Sequence, residues 1–238
     1  MEDLDKMRSG FGTEEDLKQL IALEQRLEKN PNDTDALLKK GILYYEPFLR
    51  TDESIAIFRS IIAKDPQNVD AYFWLAKCIW HYRCDFIEAE RLLSMALTID
   101  PNRADCHSLL GIVLEEIIDD SLNRETQPKS ALIKLEKSIE SHYLKAIELE
   151  PSWIIPRHRL AYKFLEKGEY QGARSQIIEA LKYVTNNDTP NITDSIVEHY
   201  ETFVTGRYHQ ELVKENLLNF LKEIDKAIEQ REIVQKQA

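Results

Sequence analysis

Apolar residues recur at helical spacing along most of the chain, and short polar stretches separate the apolar runs. Side chains three, four and seven positions apart share one face of an α-helix. The segment 14–29 carries such a stripe in Leu17, Leu20, Ile21, Leu23 and Leu27. A second stripe, near the other end, consists of Val213, Leu217, Leu221, Ile224 and Ile228. The pattern predicts an all-α chain.

Prolines divide the helical runs at regular intervals. They stand in the dipeptides Asn30-Pro31, Asp65-Pro66, Asp100-Pro101 and Glu150-Pro151, at spacings of 35, 35 and 50 residues. Proline cannot continue a helix and disfavours helical geometry in the residue before it, so each dipeptide marks a helix end. Asp33 and Asn68 follow the first two dipeptides and are predicted N-caps of the next helices.

Small and large residues recur in the same order between these prolines. The first repeat has Leu37, Gly41, Tyr44, Phe58 and Pro66; the second has Tyr72, Leu75, Ala76, Ile79, Ala89, Leu93, Ala96 and Pro101. The third has Leu110, Gly111, Leu114, Tyr143, Ala146 and Pro151; the fourth has Leu160, Ala161, Phe164, Gly168, Tyr170, Ala173, Ile177 and Ala180. Over residues 34–184 the chain thus resembles the tetratricopeptide (TPR) family, whose repeat is about 34 residues long. The resemblance implies a right-handed TPR superhelix, an α-solenoid of stacked helical hairpins with helical caps.

The predicted organisation has four parts. Residues 1–12 are expected to be flexible, residues 13–30 form a capping helix, and residues 34–185 form four TPR repeats. Residues 194–232 form a degenerate fifth helical pair or a C-terminal cap. The first helix of that pair is predicted from Ile196, Val197, Tyr200, Phe203 and Val204, with Gly206 at its end.

The third repeat departs from the family because it is 50 residues long. The excess falls around residues 115–138, where a loop is predicted from Asp119 to Gln127. We expect the first helix to extend through Ile118 and the second to run from Lys129 to Leu149. The insertion is either a tolerated surface loop, since extra loop length has a small entropic cost, or a protruding helical hairpin that makes a contact of its own.

The resemblance also implies a concave groove lined by the first helix of each repeat. The candidate partner-binding residues are Leu38, Ile42, Tyr45, Phe73, Trp74, Lys77, Trp80, Ile112, His158, Arg159 and Tyr162. This groove is aromatic and aliphatic, and large aromatic side chains are frequent anchors of bound peptides. Two alternatives stay open: the chain's own C-terminal helix fills the groove, or some of these aromatic residues pack between repeats as core.

The column formed by Asp35, Asp70 and Asp105 has two interpretations as well. The three carboxylates grip a basic ligand, or they stand in first helical turns and interact with the helix dipole.

One subset of the TPR family binds the acidic C-terminal tails of chaperones through a clamp of Lys, Asn and Arg. The corresponding positions in the first three repeats are Leu38, Ile42, Trp74, Asp105 and Leu109. In the last three repeats they are Phe73, Lys77, Leu109, Ile155 and Arg159. Neither set can hold a carboxylate in that way, so the chain is not expected to bind such tails.

Charge and composition narrow the function further. A net charge of −11 argues against a nucleic-acid partner, which usually requires a basic face. No apolar stretch is long enough for membrane insertion, and the start of the chain lacks the apolar core of a secretory signal, so we expect a cytoplasmic location.

No catalytic motif, phosphate loop or cofactor site is present in the sequence. The three cysteines do not make a disulfide framework, and the spacing of Cys78, His81 and Cys84 provides too few ligands for tetrahedral zinc. We therefore expect a non-enzymatic scaffold or adaptor that binds a peptide segment of a partner protein and needs no cofactor. The alternatives are a chaperone for an aggregation-prone or secreted client, and a structural subunit of a larger assembly.

Overall fold

The computed structural model describes residues 12–124, 128–185 and 207–237. This part of the chain contains ten α-helices, one π-helical turn and no β-strand, which confirms the all-α prediction. The chain divides into two compact bodies, residues 1–124 and 125–238, called here the N-terminal and C-terminal bodies. Predictions for residues 1–11, 125–127 and 186–206, including the helix at 196–204, lie outside the described residues.

The N-terminal body contains helices α1 to α6. Their bounds are α1 Glu14–Lys29, α2 Thr34–Tyr45, α3 Thr51–Lys64, α4 Val69–Cys78, α5 Phe86–Ile99 and α6 Ala104–Arg124, with the π-helical turn Ile79–Arg83 continuing α4. Each helix packs against the next, and α4 also contacts α2 and α6. The first helices of successive repeats, α2, α4 and α6, therefore lie side by side and form one face of this body.

Side chains cap the helix starts as the sequence predicts. The Asp33 carboxylate accepts a hydrogen bond from the Ala36 amide at 3.0 Å, and the Asn68 side chain accepts one from the Ala71 amide at 2.9 Å. These oxygens satisfy amides that have no partner within the helix. Thr13 and Asp16 form a reciprocal capping box at the start of α1.

Gly41 is the point at which α2 and α3 approach each other closely. A Cβ atom at Gly41 would lie 2.6 Å from Cε1 of Phe58, which is fully buried. The Ser54 hydroxyl donates a hydrogen bond of 2.8 Å to the Gly41 carbonyl oxygen. The absence of a side chain at Gly41 thus allows the hairpin to close.

The first two repeats each contain a non-glycine residue in the left-handed region between their two helices. Leu49 has φ 50° and Cys84 has φ 51°, each 18 positions after the proline that precedes its repeat. In the fourth repeat the left-handed residue is Gly168, 17 positions after Pro151. The surplus residue of the 35-residue spacing is therefore accommodated before the second helix begins.

The C-terminal body contains α7 Lys129–Leu149, α8 Ile154–Glu166, α9 Tyr170–Thr185 and α10 Arg207–Gln237. Helix α7 has the predicted bounds. Helices α7 to α10 each pack against the next in order. The core of α8, α9 and α10 is formed by Ala161, Ala173, Ile177, Ala180, Val184, Leu217, Phe220 and Ile224, and the predicted stripe residues Val213, Leu221 and Ile228 pack against it.

The loop predicted from Asp119 to Gln127 is wrong over residues 119–124, because α6 continues as far as Arg124. The reason is burial: Ile117, Ile118 and Ser121 are covered, so the buried stripe of this helix continues past the expected end. No helix among the described residues is both long and apolar enough to cross a membrane.

Candidate partner-binding face

Seven of the sequence-predicted groove residues lie on α2, α4 and α6, and an eighth, Trp80, lies in the π-helical turn that continues α4. Five of them, Tyr45, Phe73, Lys77, Trp80 and Ile112, are at most 6% exposed. The other three, Leu38, Ile42 and Trp74, are half-buried and so keep part of their surface accessible. The remaining candidates, His158, Arg159 and Tyr162, lie on α8 in the C-terminal body.

Aromatic rings from two repeats hold Trp74 in place. Its ring lies edge-on to Tyr45 with centroids 6.0 Å apart, and edge-on to Phe73 at 5.5 Å. On another side it is nearly parallel to Phe58 at 6.5 Å. Trp74 therefore packs between the first and second repeats while part of its surface stays accessible.

Lys77 is fully buried beneath this cluster. Its Nζ lies 4.6 Å from the centroid of the Trp74 ring and 5.4 Å from that of Tyr45. The charge is compensated by a carboxylate oxygen of Glu46 at 3.3 Å. Burying a charge without such a partner costs free energy. Here the paired ammonium group also attracts the Trp74 and Tyr45 rings through cation–π interactions. Lys77 thus supports the face from below.

The π-helical turn after α4 brings a second group of rings to Tyr45. The Tyr82 ring lies edge-on to Tyr45 at 5.5 Å, and the Tyr45 hydroxyl lies 3.5 Å from Nδ1 of His81. Burial raises the pKa of Tyr45 and that of Tyr82, so both stay protonated. Sequence reasoning missed Glu46, His81, Tyr82 and the turn itself. The only sign of the turn in the sequence is a spacing between prolines that is one residue longer than the family's repeat of about 34.

The aspartate column is neutralised by the chain's own cations. Asp35 pairs with Lys39 at 3.0 Å and with Arg26 at 3.1 Å, and these hydrogen bonds lower its pKa. The Arg103 guanidinium donates to both carboxylate oxygens of Asp105 and, at 2.7 Å, to Asp70. Because Asp105 and Asp70 belong to successive repeats, Arg103 links α6 to α4. The column therefore has ion-pair partners without any external ligand.

On α8 the candidate residues meet the chain's own last helix. The Phe220 ring of α10 is nearly parallel to Tyr162 with centroids 4.3 Å apart, and lies 5.3 Å from the His158 ring. Burial, with a contribution from the charge of Arg159, lowers the pKa of His158 to about 4. His158 is therefore neutral near pH 7 and packs as an aromatic residue.

The cysteines and other potential metal ligands do not converge. Cys78 and Cys106 are buried and Cys84 is exposed; burial raises the pKa of Cys78 to about 12 and also that of Cys106. Within the described ranges no three His, Cys, Asp or Glu side chains are placed to hold a metal ion.

Comparison with known proteins identifies the repeats. Residues 50–113 match the family model described as tetratricopeptide repeat. No curated protein matches the chain by sequence.

Several solved structures share the fold at low sequence identity. The crystal structure of MamA is 20% identical, with a TM-score of 0.52 over 69% of this chain and 85% of that chain. TTC0263, a thermophilic TPR protein in Thermus thermophilus, is 21% identical, with a TM-score of 0.53 over 71% of this chain and 82% of that one. A monomeric IFIT1 mutant with m7Gppp-AAAA is 17% identical, with a TM-score of 0.60 over 92% of this chain but 49% of that one. This chain thus spans about half the length of IFIT1.

The fold and its stacked hairpins define an all-α helical-repeat protein. Residues 50–113 match the tetratricopeptide repeat, and the chain shares its fold with solved structures that include a TPR protein. The TPR fold is in general a protein–protein interaction scaffold and is generally non-catalytic.

Proposed function

We propose that this chain is a non-enzymatic scaffold that binds a peptide segment of a partner protein on the face formed by α2, α4 and α6. The observation that carries the proposal is the accessible apolar surface of Leu38, Ile42 and Trp74 on that face. Leu38, Ile42 and Tyr45 follow one another at helical spacing on α2, and Tyr45 contacts Trp74. The three accessible side chains therefore belong to one surface.

Rigidity of the support favours this surface as a binding site. Tyr45, Phe58 and Phe73 surround Trp74, and the Lys77–Glu46 pair lies beneath it. A side chain already held in one orientation loses little conformational entropy when a ligand binds. Tyr45, Phe73 and Lys77 thus contribute by positioning Trp74, while Leu38, Ile42 and Trp74 make the contact.

The test replaces accessible side chains and leaves the ring cluster intact. The double variant Leu38→Ser and Ile42→Ser is compared with Ile87→Ser and Met95→Ser on α5, whose native side chains are 63% and 41% exposed. Partners captured from native lysate by each variant are quantified by mass spectrometry. Circular dichroism verifies that both variants keep their helical content.

We expect the Leu38 and Ile42 variant to lose its partner by about tenfold or more, since central apolar anchors dominate binding energy. The α5 variant should retain the partner. Equal capture by the wild type and both variants would rule out this face. Trp74→Ala is less suitable because it also removes packing against Tyr45 and Phe58.

A second candidate function, a structural subunit of a larger assembly, is favoured by the exposed side of α7. Ile133 and Leu144 are both 52% exposed and lie 11 positions apart, on the same side of the helix. The variant Ile133→Ser and Leu144→Ser should then shift the native complex to lower mass in size-exclusion chromatography. An unchanged elution profile would remove this candidate.

A further inference from the structure

Helix α10 packs against α8 and α9 through an apolar stripe along one face. Leu217, Phe220 and Ile224 are buried in the core with residues of α8 and α9. Phe220 contacts the rings of His158 and Tyr162, two side chains at positions that the TPR resemblance assigns to ligand binding, and Tyr162 stays 45% exposed. The chain's own helix therefore occupies candidate binding surface.

One face of α10 holds the helix in this position. Among residues 213–233 Leu217, Phe220 and Ile224 are buried, and Val213, Leu221 and Ile228 are partly buried against the same core, whereas seven of the ten residues of α4 are buried. Polar contacts accompany the stripe toward the C-terminal end of α10. Arg174 of α9 pairs with Asp225 at 2.7 Å, and Arg231 donates to the Gly168 carbonyl oxygen at 2.8 Å. Both contacts are partly or fully exposed to water, which weakens them.

We propose that α10 is a self-ligand, which occupies a helix-binding surface on α8 and α9 and is displaced by an amphipathic helix of a partner protein. The proposal rests on the scaffold function above but concerns a different surface. The partner helix is defined by the chemistry that α10 shows: an aliphatic residue, an aromatic residue three positions later and an aliphatic residue four positions after that. An acidic residue follows at the place of Asp225 and pairs with Arg174.

A free peptide that binds this surface must compete with α10, which belongs to the same chain. The sequence places 21 residues between Thr185 and Arg207, so α10 acts at the high effective concentration of a tethered group. A free helix of the same sequence should therefore bind poorly to the wild-type chain. It should bind well once the contact of the tethered helix is weakened.

The test uses the full chain and a fluorescein-labelled peptide of residues 207–237, with binding followed by anisotropy. Phe220→Asp in the chain removes the central contact of α10 and should increase peptide affinity by about tenfold or more. Leu218→Asp is the matched control, since Leu218 stands on the same helix and is 39% exposed. This control should behave like the wild type. Failure of the peptide to bind the Phe220→Asp chain would overturn the proposal, as would equal binding to all three chains.

A charge exchange shows where the peptide lies. In the chain that carries Phe220→Asp, a further Arg174→Asp substitution should reverse the preference between two peptides. The unmodified peptide should bind better before this substitution, and the Asp225→Arg peptide better after it, each by about two- to fivefold. An unchanged preference would overturn the assignment even if Phe220→Asp perturbs folding locally.

Size-exclusion chromatography with light scattering tests whether a second copy of the chain occupies this surface instead. A concentration-dependent wild-type dimer that Phe220→Asp abolishes would assign the surface to α10 of another copy and overturn the partner assignment. A monomer at all concentrations supports it. These variants leave Leu38 and Ile42 unchanged, so their outcome is independent of the test of the α2, α4 and α6 face.

Discussion

Gly41 shows how one residue without a side chain sets the distance between two helices. The nearest atoms to a Cβ at this position belong to Phe58, which cannot move aside easily because it is fully buried and packs against Trp74. At Gly172 the nearest atom, Cδ2 of Phe164, lies at 3.1 Å, and Phe164 is half-buried. The two glycines therefore differ in the freedom of their neighbours.

Gly41→Ala should lower the free energy of unfolding by about 1–3 kcal/mol, the usual range for overpacking a core. Gly172→Ala should be close to neutral, because alanine favours the helix by up to about 1 kcal/mol and offsets the tighter contact. Urea denaturation followed by circular dichroism measures both. Equal destabilisation by the two substitutions would contradict the close approach at Gly41.

Helix α10 connects to α8 through a ring cluster that contains one titratable group, His158. Burial lowers its pKa to about 4, so the folded state keeps it neutral while the unfolded state, with a pKa near about 6.5, takes up a proton first. Neutral His158 therefore contributes fully to the stability of the folded state above about pH 6.5, and this contribution is lost as the pH falls toward 4.

The wild type should therefore lose more stability between about pH 7.5 and pH 5 than the His158→Phe variant does. The expected excess is about 2 kcal/mol, and it comes from His158 alone because other groups titrate in both proteins. Urea denaturation at the two pH values gives the difference. The same pH dependence in both proteins would show that His158 is not buried against Phe220.

Much of the element structure was predictable from sequence, and the exceptions have identifiable causes. The N-caps Asp33 and Asn68 and the bounds of α7 follow from local chemistry. The π-helical turn has no local signature, since a single surplus residue can be placed in several ways. For Tyr45 and Phe73 the sequence left groove and core as alternatives, because position on a helix tells which side a residue faces, not how closely the neighbouring helix covers it. The pairing of Arg103 with Asp70 likewise depends on how the repeats stack.

Charge differs between the two halves of the molecule. Residues 1–124 carry 24 acidic and 15 basic residues, a net charge of −9, whereas residues 125–238 carry 18 and 16, a net charge of −2. The acidic half contains the proposed binding face. Anionic partners are therefore disfavoured at the level of the whole molecule as well as by the residues on the face.

Neither an anionic nucleic acid nor an acidic chaperone tail should bind this chain. A short capped RNA is a suitable probe for the nucleic-acid prediction. We expect no saturable anisotropy change with labelled m7Gppp-AAAA at physiological salt, because phosphate binding requires clustered cations.

Calorimetry with a chaperone-tail peptide should give no saturable heat, since Leu38, Ile42 and Trp74 stand at clamp positions. Saturable binding of either ligand would contradict the prediction.

In the first two repeats, the turn between the two helices is the place where the extra residue of the proline spacing is accommodated. Its surplus residue enters a short loop at Leu49 in one repeat and a π-helical turn ending before Cys84 in the next. The second helix still ends at the same distance from the following proline in both, at Lys64 and Ile99. One residue inserted within α3 or α5 would instead rotate everything after it by about 100° and turn core side chains outward. Insertions and deletions, whether they arise in evolution or by design, are therefore best tolerated in these turns.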